Sequence, residues 1–534
     1  MAGPDAFDTL RRSFRWDIPD RFNIADAICD RWAEREPDRV ALLVKRPGGP
    51  IEAKSYGALR DDSLALAAGL ASRGVRRGDR VALLLPQGFE AAVAHVAIAR
   101  LGAVAVPCAL AFGPDALAFR LSDSGASALV TCGAGVATWK RIETSPLTLG
   151  LVISTDGAEG GALDYAELVA GGGWVETADT GPDDPALMIY TSGTTGAPKG
   201  ALHGGRVLLG HLPGFRLTHE GFPAEGDIAW TPADWAWAGG LLNLMMPALH
   251  DGVPVLAHPA SKFDPAGAFA LMADAGVTRA FIPPTALRLM ARVERPAAGL
   301  RLRSVVSAGE RLGEASWEWS RTGLGVPLNE VYGQTECNYV IVSSAALGAS
   351  RPGFTGLSGP GHEVGVFAAD GRRAEVGEIG EIRIRRPDPV LFLGYWRQPE
   401  ATAEKFDGDW FCTGDQAAID ADGFFRFVGR EDDVITSSGY RIGPADIEDC
   451  LARHPAVALA AVVGKPDALR TMLVKAFVQL KPGTASSEAL GEELGHFVRD
   501  RLSAHEYPRE VEFVNEIPLT TSGKVIRKAL RERE

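Results

Sequence analysis

Apolar positions follow a helical spacing from Ser63 to Arg73 (SLALAAGLASR), close into a short continuous run at Arg80 to Leu85 (RVALLL), and return to helical spacing from Glu90 to Arg100. A second short run, Val104 to Pro107, follows Gly102. Continuous short runs predict strands buried on both faces, and helical segments between them predict crossovers joining parallel strands. The region from about Ile24 to Leu110 therefore predicts alternating helices and strands. The same signal recurs at Ala128 to Thr131, Ala186 to Tyr190, Arg279 to Ile282 and Ser304 to Ser307.

The texture changes after Gly377. Glu381 to Arg385 (EIRIR) alternates with period two, as a half-exposed antiparallel strand does, and Phe424 to Val428 repeats the signal. Past Asp433 the pattern predicts a helix at Pro444 to Arg453, strands at Ala458 to Val463 and Leu473 to Leu480, a helix at Ser487 to Leu502 and a strand at Glu510 to Phe513. The expected fold class is α/β. A large N-terminal domain, residues 1–431, holds parallel-rich sheets with helices plus a small barrel-like part. A small α+β C-terminal domain, residues 432–534, has enough chain for its own core.

At 534 residues the length alone suggests three or four units, and 46% apolar with 23% charged residues is globular. The net charge of −13 argues against a nucleic-acid partner. The basic run near the C-terminus (Lys524, Arg527, Lys528, Arg531, Arg533) is mixed with glutamates, so apart from Lys524 it reads as a solvated helix. Six scattered cysteines form no C-x-x-C pair or zinc spacing and read as buried thiols in a reducing compartment. There is no apolar stretch long enough for a signal peptide or a membrane span. A cytoplasmic protein is expected, and a homo-oligomer stays open.

Candidate chemistry centres on Tyr190 to Gly200 (YTSGTTGAPKG). Thr191, Ser192, Thr194 and Thr195 offer hydroxyls. Gly193 and Gly196 let backbone N–H groups approach phosphate oxygens, and Lys199 adds a point charge. Such a loop at the end of a buried strand suits a polyphosphate; the plain alternative is a flexible linker. It is not a Walker A loop, because Pro198 stands before the lysine and Gly200 replaces the Mg²⁺-binding hydroxyl.

Further strings follow in order: VYGQTE (Val331 to Glu336), FCTGD (Phe411 to Asp415), GREDDVITSSGYRI (Gly429 to Ile442) and TSGK (Thr521 to Lys524). With the glycine-rich loop, they make the chain resemble the acyl-adenylate-forming (AMP-binding) superfamily over nearly its whole length. The C-terminal strings YRIGPAD and YPREVEF most resemble medium-chain acyl-CoA synthetases. The resemblance implies ATP, Mg²⁺ and CoA as cofactors and a small carboxylic acid as substrate. It implies Lys524, Lys199 and Glu336 as catalytic residues, with Glu336 also the metal ligand and Thr335 at the phosphates. Gly309, Glu310 and Arg311 with Tyr332, Gly333 and Gln334 correspond to the adenine region; Arg311 departs from the small residue or proline common there. Asp415 corresponds to the ribose carboxylate, and Arg430 and Arg441 to nucleotide contacts. The same resemblance makes the C-terminal domain mobile, with Asp432 as its hinge, and gives Ser438, Gly439, Tyr440, Arg470 and Tyr507 to CoA. Without it, Asp415 would read as an ordinary turn, and Tyr507 as a half-buried core ring.

The acyl pocket corresponds to Trp237, Gly333 and Asn338. Trp230, Trp235 and Trp237 crowd the segment WTPADWAW, where core and pocket are both open readings. Relatives specific for acetate place a ring where Gly333 stands, so the floor is expected to be open, while Cys337 and Asn338 refill some space. The expected activity is an AMP-forming acyl-CoA synthetase for short- to medium-chain acids. The rivals are an aryl-acid (benzoate-like) CoA ligase, an enzyme loading a carrier protein, and a nucleotide-binding regulator without turnover.

Overall fold

The computed structural model describes residues 4–143, 149–191, 197–260, 263–294, 298–310, 312–430, 433–437, 440–467, 471–502, 507–520 and 524–533. Among these, two large sheets dominate the N-terminal part. One runs in the order Leu357–Ser358, Ile341–Val342, Leu328–Tyr332, Ser304–Ser307, Arg279–Phe281, Ala229–Trp230, Val255–Ala257, Val40–Lys45, Ile51–Ser55. Its centre is parallel and its margins antiparallel.

The second sheet starts with Gly394–Tyr395, Lys199–Gly204 and Pro185–Thr191. It continues through Val104–Pro107, Arg80–Leu84, Ala128–Thr131, Leu151–Ser154 and Leu163–Asp164. All its joins from Pro185–Thr191 onward are parallel. The strands Val104–Pro107, Ala128–Thr131 and Ser304–Ser307 are buried at every position, which is why their sequences run apolar without alternation.

Local signals set the helix ends. In Pro265–Ala275, Asp264 accepts from the Ala266 N–H, proline opens the first turn, and Gly276 closes the last at φ +68°. The largest core cluster draws on strands of both sheets (Leu42, Val81, Ile189, Val255, Val306) and on the helices Tyr56–Ser72, Phe89–Arg100 and Arg206–Thr218. Phe89–Arg100 is buried almost all round, and Arg100 is tolerated there because a bidentate pair with Asp30, at 2.7 and 2.8 Å, neutralises it.

The small barrel-like part is an antiparallel sheet of Val364–Phe367, Gly380–Arg385, Trp410–Ile419, Phe406–Asp407 and Phe425–Arg430. Gly380–Arg385 shows the buried–exposed alternation its sequence predicts. The C-terminal part is α+β. Strands Tyr440–Ile442, Ile435–Ser437, Thr471–Leu480, Val457–Asp467 and Glu510–Phe513 carry helices Pro444–Ala452, Glu488–Arg501 and Arg527–Arg531 around a core of their own. It touches the N-terminal part through Arg453 to Glu314 at 2.9 Å and through Arg292 to the Ala458 carbonyl.

The basic terminal run departs from its expectation as a solvated helix. Arg527 lies half-buried, donating to both Glu448 oxygens at 2.7 Å, and Arg531 meets Asp433 at 3.0 Å. Both carboxylates come from elements far away in sequence, which the local charge pattern does not reveal. Of the six cysteines, five are buried and Cys412 is half-buried, all as free thiols. Among the described residues, no helix is long and apolar enough to cross a membrane.

Candidate active site

The glycine-rich loop joins two antiparallel neighbours: Thr191 ends Pro185–Thr191 and pairs with Lys199, which opens Lys199–Gly204. Ser192, Gly193, Thr194, Thr195 and Gly196 lie outside the described residues, as do Arg311, Asp432, Ser438, Gly439 and Arg470. Lys199 Nζ stands 5.0 Å from the centre of the Tyr395 ring. The Tyr395 hydroxyl donates to the buried Glu336 at Oε1, 2.6 Å away, so the ring that meets Lys199 also holds this carboxylate. Burial, with Glu336 close by, pushes the Tyr395 phenol above its ordinary pKa and keeps it a donor. Tyr395 was missed in the sequence. It lies outside every motif and reaches Glu336 because Leu391 and Phe392 pair with Cys337 and Glu336 while Gly394–Tyr395 pairs with Lys199–Gly204.

A second buried carboxylate, Asp415, organises the other end. Its Oδ2 accepts from the Tyr332 hydroxyl at 2.7 Å and from Gln334 Nε2 at 2.6 Å. Its Oδ1 faces Arg430 Nε at 3.9 Å. Desolvation raises the Asp415 pKa, and Tyr332 and then Arg430 oppose it. Thr413, Gly414 and Asp415 lie within the strand Trp410–Ile419 where its register against Gly380–Arg385 shifts; Gly414 takes φ +75° there, and its N–H is held by Glu381.

Lys524 enters this end from the C-terminal part. Its Cε lies 3.9 Å from where a Cβ on Gly309 would stand, and Gly309 is at φ +95°. Crowding in the cleft lowers the lysine's pKa, while Glu310 and Asp415 pull it back up; the side chain keeps access to solvent. Its backbone forms a closed loop with Thr520, through Lys524 N–H to Thr520 Oγ1 at 3.0 Å and Thr520 N–H to the Lys524 carbonyl at 2.7 Å. Glu310 is not free toward a nucleotide: Thr285 donates to it at 2.9 Å and Arg288 at 2.5 Å. Tyr440 and Arg441 lie on the strand Tyr440–Ile442. Tyr507 is half-buried in the C-terminal core, and its hydroxyl accepts from Arg509 at 2.7 Å.

The three tryptophans of the segment expected at the acyl pocket separate. Trp230 packs among Leu256, Phe269 and Ile282, and Trp235 is buried with no partner for its N–H among the described residues. Trp237 alone stays half-buried, edge-on to Phe112 at 5.9 Å. The expectation that Gly333 opens the pocket floor needs correction. A Cβ on Gly333 would meet Asn338 Cα and Tyr339 N at 2.6 Å and the Cys337 carbonyl at 2.7 Å. Its glycine serves a tight backbone approach, closed by Gln334 N–H to the Cys337 carbonyl at 3.0 Å, and not a missing side chain in the pocket. Asn338 is buried, and its Nδ2 donates to Asn243 Oδ1 at 2.5 Å. Asn243 was also missed; the signal was an amide inside the apolar run LLNLMM.

These features can bind a polyphosphate between Lys199 and Glu336, a ribose at Asp415 and a reacting acyl group toward Asn338. A family model described as "AMP-binding enzyme" matches residues 29–396, and one described as "AMP-binding enzyme C-terminal domain" matches residues 446–524. The chain is 33% identical over 505 residues to an uncharacterized acyl–CoA ligase of Bacillus subtilis (strain 168), covering 93% of each chain. It is also 33% identical to a mitochondrial acyl-coenzyme A synthetase of Mus musculus, over 97% of this chain and 93% of that one. Among solved structures, an anthranilate CoA ligase in complex with anthranoyl-AMP superposes with a TM-score of 0.88 at 27% identity, over 97% and 98% of the two chains. A benzoate CoA ligase of Burkholderia xenovorans LB400 gives 0.83 at 28% identity, over 96% and 100%.

Proposed function

The chain belongs to the AMP-binding enzyme family as an AMP-forming CoA ligase that uses ATP and CoA, and we propose that its acid is a short- to medium-chain carboxylate. In the first step a carboxylate oxygen attacks the α-phosphorus of ATP and pyrophosphate leaves. In the second the CoA sulfur attacks the acyl carbon and AMP leaves. The observation that most supports this order is Lys524 standing over Gly309 beside Glu310 and Asp415. A cation at that point can offset charge as the α-phosphate becomes five-coordinate.

In this reading Lys199, Thr335 and the residues Thr191 to Gly196 hold the phosphates, Asp415 takes the ribose hydroxyls, and Gly309 and Tyr332 flank adenine. Among the described residues no cluster of three metal-ligating side chains exists. The single carboxylate of Glu336 still suits Mg²⁺, which takes one or two protein carboxylates and completes its shell with phosphate and water. Bound there, the ion would spread the charge of the departing pyrophosphate.

Residues 432–534 then act as a mobile domain turning at Asp432. Asp433, beside that hinge, is tied by Arg527 and Arg531 to the segment after Lys524, which supports lysine and hinge moving together. Turning would bring Ser438, Gly439, Tyr440, Arg441, Arg470 and Tyr507 to CoA, and a cytoplasmic location belongs to the same proposal. An aryl acid is the second reading, favoured by the Trp237–Phe112 ring pair. The test is pyrophosphate and AMP release with Mg²⁺, ATP and CoA over acetate, butyrate, hexanoate, octanoate and benzoate. Butyrate or longer alkyl acids should lead. A lead for benzoate would favour the aryl reading, and release of ADP and phosphate would overturn the assignment.

A further inference from the structure

The segment after Trp237 enters a π-helix, Leu241–Met245, a widened turn of the kind that gathers at functional sites. Four of its five residues are apolar with no exposure at all; the fifth is Asn243, at 2%. Asn338, at 7%, reaches it from the loop that carries Gly333, Thr335 and Glu336. Two buried amides therefore meet from two different elements, one in the π-helix six residues past Trp237 and the other two residues past Glu336.

One hydrogen bond cannot satisfy the pair. Each carboxamide offers an acceptor oxygen and a two-proton donor nitrogen. With Asn338 Nδ2 donating to Asn243 Oδ1, Asn243 Nδ2 and Asn338 Oδ1 have no further partner among the described residues. Asn338 keeps 7% exposure and Asn243 2%, while the other side chains of the π-helix have none. Turning both amides over exchanges the roles and still leaves one donor and one acceptor side by side. Burying such groups for packing alone would be costly, and a leucine would fit the run around Asn243 better. Among the described residues no charged side chain bonds to either amide, so the pair suits a neutral group.

We propose that the Asn243–Asn338 pair recognises a neutral group that both donates and accepts, a hydroxyl or a carboxamide, on the tail of the acid. This rests on the proposed acyl site and narrows its substrate class from plain alkyl acids to hydroxy- or amide-bearing ones. An alkyl tail would strip water from both amide atoms and return nothing, which is how polar sites reject analogues lacking the matching group.

The experiment compares kcat/KM in pyrophosphate release for butyrate and hexanoate with their hydroxylated counterparts at each carbon and with the matching terminal amides. Benzoate against the three hydroxybenzoates forms the aromatic arm. At least one hydroxy or amide acid should exceed its equal-length parent by about 10-fold or more. The double variant Asn243→Leu with Asn338→Gly should reverse that ratio toward the parent acid and leave the KM for CoA unchanged. Wild-type enzyme that releases pyrophosphate equally well, or better, with every unsubstituted parent would overturn the inference and leave the proposed ligase standing. Failure of every acid to release pyrophosphate would overturn both. The wild-type panel needs no variant to fold.

Discussion

The proposed nucleotide side and the proposed acyl side of this cleft are built by opposite means. At Asp415 every important contact is a directed hydrogen bond between polar side chains: Tyr332, Gln334 and, at longer range, Arg430. At Asn338 the surroundings are packing and backbone proximity, with a single amide pair set among leucines and methionines. A charged ligand common to many enzymes can be held by a fixed set of polar residues. A variable tail needs a wall whose shape emerges from several elements. The first arrangement leaves short strings in a sequence; the second leaves little besides an odd polar residue in an apolar run.

The sharpest way to break the comparison is Lys524→Ala. Acyl-AMP formation should fall by at least about 10²–10³-fold, the cost of losing one preorganised electrostatic partner. Thioester formation from preformed acyl-AMP should persist. An equal fall in both steps, measured by single-turnover assays, would remove the separation between the two sides.

Acid should act through buried histidines of the scaffold behind both sides of the cleft. Burial lowers the pKa of His95 and His211 to about 4 and of His203 and His219 to about 3. His211 packs edge-on to Tyr339, the residue after Asn338, and His203 lies on the strand that begins at Lys199. These histidines fold neutral, so the unfolded chain binds more protons below its ordinary pKa of 6.5. Their contribution is complete above that pH and is lost as pH falls toward 3–4, by about 1.4 kcal/mol per pH unit for each once well below 6.5. Melting temperature should therefore drop steeply between pH 6.5 and 4, and replacing His211 with Gln should flatten the decline.

Gly333→Ala separates backbone need from pocket volume. Its added Cβ would press on the backbone of residues 337–339, which should cost about 1–3 kcal/mol in denaturant unfolding. A neutral result with altered chain-length preference would restore the open-floor reading.

The smallest effect is expected from Tyr395→Phe. Losing its hydrogen bond to Glu336 should cost about 1–2 kcal/mol, seen as a raised Mg²⁺ requirement with little change in the ratio between acids. A shift in acid preference instead would show that Glu336 serves the acyl side as well.

By itself the sequence determined the alternation of helices and fully buried strands through the first two sheets, since runs such as Val104–Pro107 and Ser304–Ser307 are dictated by burial on both faces. Through its resemblance to the AMP-binding family it also offered Asp415, Glu336, Lys199 and Lys524 as site candidates, because short strings of particular side chains carry that resemblance. Only the tertiary structure decided that Tyr395 reaches Glu336, that Trp237 and not Trp230 or Trp235 stays available, and that Arg527 is tied to Glu448 and Asp433. It alone decided that Gly333 answers to its own backbone and that Asn243 meets Asn338. Each of these joins residues distant in the chain, or turns on the direction of one bond. Periodicity reports which face of an element is apolar, and spacing reports local chemistry; neither carries the angle at which two remote elements are packed.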